Sequence, residues 1–216
     1  IAMTSAFGNS LMLGLPLAIG VYGNLATPVV ALILAVHAPI WWVLGMLHSS
    51  VTGDFTGQSR FSIVKSTISD LTRNPIILGI AAGVLWRMTG LPLPATIDRL
   101  LELMAQASVP TALVALGLSL VNFEIRGQWP TLSSMLLLKL ALMPALAWAI
   151  ATYVFQLDAT TRGIIVIIAA MPTGANAFLF AVRLDRAVNS TSGAVALGTL
   201  LAAVTASLLV VYLHAG

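Results

Sequence analysis

An all-α polytopic membrane fold is the class this sequence predicts, and three observations carry the prediction. Hydrophobic residues fill 59% of 216 positions against 8% charged, with a mean hydropathy of +1.00, more apolar surface than one soluble core of that length can hide. Apolar runs of membrane length recur from one end of the chain to the other. Two of those runs are interrupted by Gly, Pro and Asn at corresponding places, a pattern that points to a repeat with a polar centre rather than to a plain bundle.

A bilayer core requires about 20 apolar residues per helix, and seven stretches qualify as spans: 2–22, 25–48, 75–90, 98–121, 131–155, 160–183 and 190–214. The first contains GNSLMLGLPLAIGVYG, Gly8 to Gly23, with four glycines, Asn9 and Pro16 in an otherwise apolar run. The third is the shortest. As a helix, 75–90 rises only about 24 Å, so it must be tilted little, extended by its flanks, or partly re-entrant. Between the second and third spans, 49–74 places Phe61, Ile63, Val64, Ile68 and Leu71 at roughly helical spacing among polar residues, which predicts an amphipathic helix lying at the interface, with a mobile linker as the alternative. In the fifth span, Lys139 is an intramembrane cation and so by default a functional candidate, but it follows Thr131, Ser133 and Ser134, and its long stem is expected instead to snorkel to the cytoplasmic interface. Pro39, Pro110 and Pro144 read as simple kinks. Loops after the second, fourth and sixth spans carry Arg60, Lys65, Arg73, Arg126, Arg183 and Arg186, whereas the opposite loops carry Arg87, Arg99 and Arg162. That excess places the first set in the cytoplasm and the C-terminus outside.

The interrupted first span has a counterpart in AAMPTGANAFLFAVRL, Ala169 to Leu184, where Pro172, Gly174 and Asn176 break the sixth. With Pro16 set against Ala177, each break precedes a polar turn by the same interval, reaching Tyr22 and Arg183. The two broken helices are an odd number of spans apart and so cross the membrane in opposite directions, which makes the repeat inverted. Three spans precede the second broken helix and none precedes the first. The expected plan is therefore ten helices in two five-helix halves: 1–48 would be the end of the first repeat, a broken helix plus one more, 49–74 a cytoplasmic loop, and 75–216 the second repeat. A native seven-span protein with chance likeness between its halves is the alternative.

Proline removes an N–H and clashes with the preceding turn, and glycine frees the backbone, so the first break is expected at Gly14, Leu15 and Pro16. Unpaired backbone groups inside a bilayer are tolerated only when buried in protein or facing a watery cavity. Half-helix N-termini offer positive dipole ends to an anion, and exposed carbonyls can take a cation. Asn9 and Asn176 would contact cargo or ion through their amides, and Ser10 and Thr173 would add hydroxyls. Gly14, Pro16, Pro172 and Gly174 would hold the two backbones open.

Other functions find little support. Ten Lys and Arg scattered over short loops form no basic stripe for nucleic acid. Zero cysteines remove thiol chemistry, and no paired acids, Ser-His arrangement or histidine cluster lies within the spans, so no enzyme and no cofactor is expected. His37 reads as a packed or hydrogen-bonded histidine, with a proton-coupling role as the alternative, and His48 and His214 as facing water. Asp98 and Glu102 read as solvated charges at a helix start. Gln106 and Ser108 could line a site or bond to neighbouring helices. No carboxylate lies deep in a span, which leaves the coupling ion, a proton or sodium, open.

At these residues the sequence resembles the auxin efflux carrier family of membrane transporters, in NSLMLGLP from Asn9, RNPIILGI from Arg73, ASVPTALVALGLSL from Ala107 and AAMPTGANAFLFA from Ala169. The likeness covers nearly the whole chain, and no single motif is diagnostic. It implies a fold of ten helices in two inverted repeats whose fourth and ninth helices break and cross near the cargo. Here the first three helices of that plan are absent. Asn9 matches the family's fourth-helix asparagine and Pro16 its crossover proline. Ala177 stands where plant exporters place the second crossover proline, which argues against auxin as cargo and against a sharp second break, although Gly174 still permits one. Family members carry organic anions such as auxin or dicarboxylates, and are thought to move a transport domain elevator-fashion. The expectation is thus a secondary carrier of small organic anions in a bacterial inner membrane, with the lipid bilayer and at most a second copy of itself as partners. A channel or a non-transporting membrane scaffold is the rival reading.

Overall fold

The computed structural model describes residues 1–51, 75–120 and 129–215, together with Lys65, Ser69 and Thr72. Every regular element among them is helical, as expected: α1 (Ala2–Ala6), α2 (Leu15–Tyr22), α3 (Ala26–Val51), α4 (Pro75–Met88), α5 (Ala95–Leu120), α6 (Trp129–Leu137), α7 (Met143–Ala149), α8 (Ala159–Ala169), α9 (Ala175–Leu184) and α10 (Val188–Ala215). The amphipathic helix expected within 49–74 falls for the most part outside the described residues. Among the described residues, three helical runs are long and apolar enough to cross a membrane: Ser10–His37, Trp129–Val154 and Val188–Leu213.

The two interrupted runs divide as the sequence suggests, but not where it suggests. The first break falls at Phe7, Gly8 and Asn9, between α1 and a widened π turn, Ser10–Gly14. Gly14 and Leu15 are helical, and Leu15 N–H reaches back to Ser10 O, so the chain does not open at Gly14, Leu15 and Pro16. The physical reason is local. Pro16 in a tight helix would clash with the carbonyl four residues earlier, and the π turn moves that carbonyl aside, so the helix absorbs the proline without parting. The same device recurs at Pro144, where Met143 N–H reaches Leu138 O across a second π turn, Leu138–Leu142. The sixth span parts between the end of α8 and Gly174, the residue before α9. A sharp second break is therefore present, four residues or so ahead of the Ala177 position.

The chain divides into two compact units, Ile1–Val30 with Thr111–Gly216, and Ala31–Pro110. In the first, Leu132, Met135 and Ala194 form a buried cluster that joins α6 to α10, with Leu136 and Leu197 against it. Small buried residues along α10, Ala194, Ala196, Gly198, Ala202 and Ala206, let backbones approach closely, the usual packing mode of helices in lipid. Gly23, with φ at 61°, ends α2 in a conformation open to glycine. The second unit has mostly exposed helices, in which the His37 ring meets Trp41 edge-on at 6.2 Å. Asp98 and Glu102 are exposed, as expected, and Glu102 pairs with Arg99. Gln106 donates to Glu102 and Ser108 to Ala105 O, both within their own exposed helix.

Candidate functional site

The two breaks meet. Gly8 and Thr173 form an antiparallel backbone bridge, flanked by two main-chain hydrogen bonds: Asn9 N–H donates to Pro172 O at 2.7 Å, and Gly174 N–H donates to Phe7 O at 2.9 Å. Each interrupted helix thus supplies the backbone partners that the other lacks, which is how unwound chain survives inside a membrane. Around this bridge, α1 packs against α9 and α2 against α8, so the first half of each broken helix lies beside the second half of the other.

Bare backbone is required at the crossing. A Cβ on Gly174 would come within 3.0 Å of Gly8 O and 3.2 Å of Asn9 N, so only hydrogen fits. Gly14 has a different task from the one expected: a Cβ there would meet Ile168 and Met171 at 2.9 Å, so it brings α2 close to α8 and the crossover rather than holding the chain open. Leu15 and Pro16 are helical, Pro16 being buried.

Asn9 is buried and caps the run that starts at Ser10, its side-chain oxygen accepting from Met12 N–H at 3.3 Å. Ser10 is buried beside it. Thr173 is fully buried and donates its hydroxyl to Thr4 O at 2.9 Å, while Thr4 and Thr191 share a hydroxyl–hydroxyl hydrogen bond at 3.2 Å. Pro172 lies in the break, buried, with its carbonyl in the bridge. Asn176 differs: it is exposed, on the first turn of α9, and is not brought to the buried centre with Asn9.

Lys139 is the residue that sequence reasoning placed wrongly. It does not snorkel. Only 2% of it is exposed, and its ammonium donates to Ala169 O, at the C-terminal end of α8, at 2.8 Å. Its Nζ lies against Gly8, where a Cβ would be 3.1 Å away. The π turn that accommodates Pro144 carries Lys139, and α1 and α10 both pack on that turn. The signal was available, because an ionisable residue deep in a span is a functional candidate by default. Gly8 was also legible as half of a Gly–Asn pair of poor helix formers. Thr4 and Thr191 sent no signal.

Elsewhere in this unit, Pro144, Trp148, Val166, Thr205, Leu208 and Tyr212 help to line an apolar cavity of about 440 Å³.

Two interrupted helices that meet at their breaks, in a chain whose described elements are all helical and apolar, define a polytopic membrane protein. The chain belongs to the family described as "Membrane transport protein", whose model matches residues 1–210, in agreement with the resemblance to the auxin efflux carriers. It is similar to a Rhizobium meliloti (strain 1021) protein described as "Putative malonate transporter", with 24% identity over 211 residues, 98% of this chain. The chain spans 66% of that relative's length.

Proposed function

We propose that this protein is a secondary carrier of small organic anions, carboxylates foremost, which binds its cargo at the helix crossover. The observation that carries this reading is the Gly8–Thr173 bridge, because it brings the starts of two half-helices, Ser10 buried and Ala175 at the surface, to either side of one backbone contact. Those N-termini present unpaired N–H groups and positive dipole ends, which favour an anion. The name of the Rhizobium relative points the same way, and malonate is the first cargo to try.

In this reading Asn9 orients the cargo through its amide N–H groups, its oxygen being occupied as a helix cap. Ser10, Pro172, Thr173 and Gly174 shape the backbone around it, and the crossover moves elevator-fashion with the cargo aboard. A proton or sodium ion supplies the coupling, the C-terminus faces outward from a bacterial inner membrane, and two copies of the chain pair as a homodimer.

The test is uptake of labelled malonate by proteoliposomes, with Asn9→Ser as the variant. Serine keeps the cap and removes the amide. Uptake is expected to fall at least tenfold, roughly 1.4 kcal/mol in cargo recognition, with unchanged folded yield. Normal uptake by Asn9→Ser removes Asn9 from the site, and a current faster than a saturable carrier cycle identifies a channel instead.

A further inference from the structure

We propose that the Lys139 ammonium receives a carboxylate of the cargo, as the positive charge buried at the crossover that nothing else in the described structure neutralises. The proposal rests on the carrier reading above and names the residue that makes the site selective for anions. Lys139 is the eleventh residue of the Trp129–Val154 span, about 15 Å along it at helical rise, near the middle of a hydrocarbon core of about 30 Å.

The donor count leaves the ammonium incomplete. Lysine has three N–H donors, and one of them meets a neutral acceptor, Ala169 O. That carbonyl ends α8 and carries part of its dipole, roughly half an elementary charge at most, so a net positive charge remains. The described acids lie elsewhere: Asp98, Glu102, Asp158 and Asp185 are all exposed, and the ion pair formed among the described residues is Arg99 with Glu102. A buried charge is tolerated when it is paired. Here the missing partner is an anion that arrives from outside the chain.

Two features of the surrounding chain support an arriving ligand over a structural plug. Gly8 keeps the ammonium at the crossing, since any larger residue would press on Nζ and Cε from 3.1 and 3.2 Å. Ser5 is 8% exposed and its hydroxyl has no hydrogen-bond partner, although α1, which carries it, packs on the Lys139 turn. A cation with unused donors, on a turn packed by the helix that carries a free hydroxyl, suits a carboxylate, either a monocarboxylate head or one end of a dicarboxylate.

The experiment uses the purified full chain and malonate as the probe, read by thermal unfolding and by equilibrium binding. Malonate is expected to raise the melting temperature of the wild type. Lys139→Met, close in volume and uncharged, should weaken malonate binding at least 100-fold while melting at or above the wild-type temperature without ligand, because it removes an uncompensated charge. Lys139→Arg keeps the charge and should retain binding within about tenfold of the wild type. Wild-type affinity in Lys139→Met overturns the proposal. So does a lower unliganded melting temperature with the malonate shift intact, the signature of a lysine that merely caps α8. If Lys139→Met does not fold, Lys139→Arg decides: a folded Arg variant with no malonate shift also overturns it, and a retained shift supports it. A wild type that binds no carboxylate at all refutes the carrier reading itself, a result distinct from binding that survives the loss of Lys139.

Discussion

Replacing Gly174 by alanine tests the crossing directly. Its backbone angles, φ −88° and ψ 161°, are open to any residue, so the cost is steric alone. The new Cβ would come within 3.0 Å of Gly8 O and 3.2 Å of both Asn9 N and Gly8 C, and these are backbone atoms with no rotamer to change. Relief requires the two chains to part by a few tenths of an ångström, against bonds now 2.7 and 2.9 Å long on either side of the bridge. Overpacking costs about 1–3 kcal/mol, and weakening two hydrogen bonds adds up to about 1 kcal/mol each, so about 2–4 kcal/mol is expected. For a chain of this size that is a fall of roughly 5–15 °C in melting temperature. Gly20→Ala is the control, since a Cβ there meets nothing within 4 Å, and it should be neutral or stabilise by about 0.5–1 kcal/mol. Melting followed by tryptophan fluorescence in detergent, with both variants side by side, gives the answer. If Gly174→Ala melts within about 1 °C of Gly20→Ala, a difference worth under ~0.5 kcal/mol, close backbone contact is not what holds the crossover.

Two further outcomes follow from the polar contacts. Thr191→Val strips the buried Thr4 hydroxyl of its partner and should destabilise the protein by about 1–3 kcal/mol, whereas the double variant with Thr4→Val should recover most of that loss in denaturant titrations. Asp158 caps α8, and hydrogen bonds from Thr161, from its side chain and from its backbone N–H, hold the carboxyl below its ordinary value. Stability from this cap is therefore present above the unfolded carboxylate value of about 3.9 and is lost as pH falls through the lower folded value. Asp158→Asn should keep the cap and flatten the acid limb of a melting-temperature profile between about pH 5 and pH 2.

Helix content, the two interrupted runs and their antiparallel meeting were legible because they depend on hydrophobic period and on residues that break helices. The depth of the break was not. Pro16 reads as the weak point, but a π turn relieves its clash, and the chain opens eight residues earlier at Gly8, where backbone from the other broken helix pairs with it. Lys139 was misread for a related reason. Polar neighbours along one helix suggested a route to water, yet the acceptor that holds it, Ala169 O, belongs to a helix thirty residues away. Asn9 is buried at the break whereas Asn176 is exposed, since the matched spacing says nothing of which side each residue faces.

The bridge also sets a timetable for the making of the protein. Gly8 and Thr173 are 165 positions apart, and a ribosome adding about 5–20 residues per second takes roughly 8–33 s to cover that interval. Throughout that time Phe7 O and Asn9 N–H, already delivered to the membrane, have no Gly174 or Pro172 to pair with. The first broken helix must therefore wait in a place that is still wet or sheltered, and the centre of the molecule closes only after nearly all of its walls have been laid.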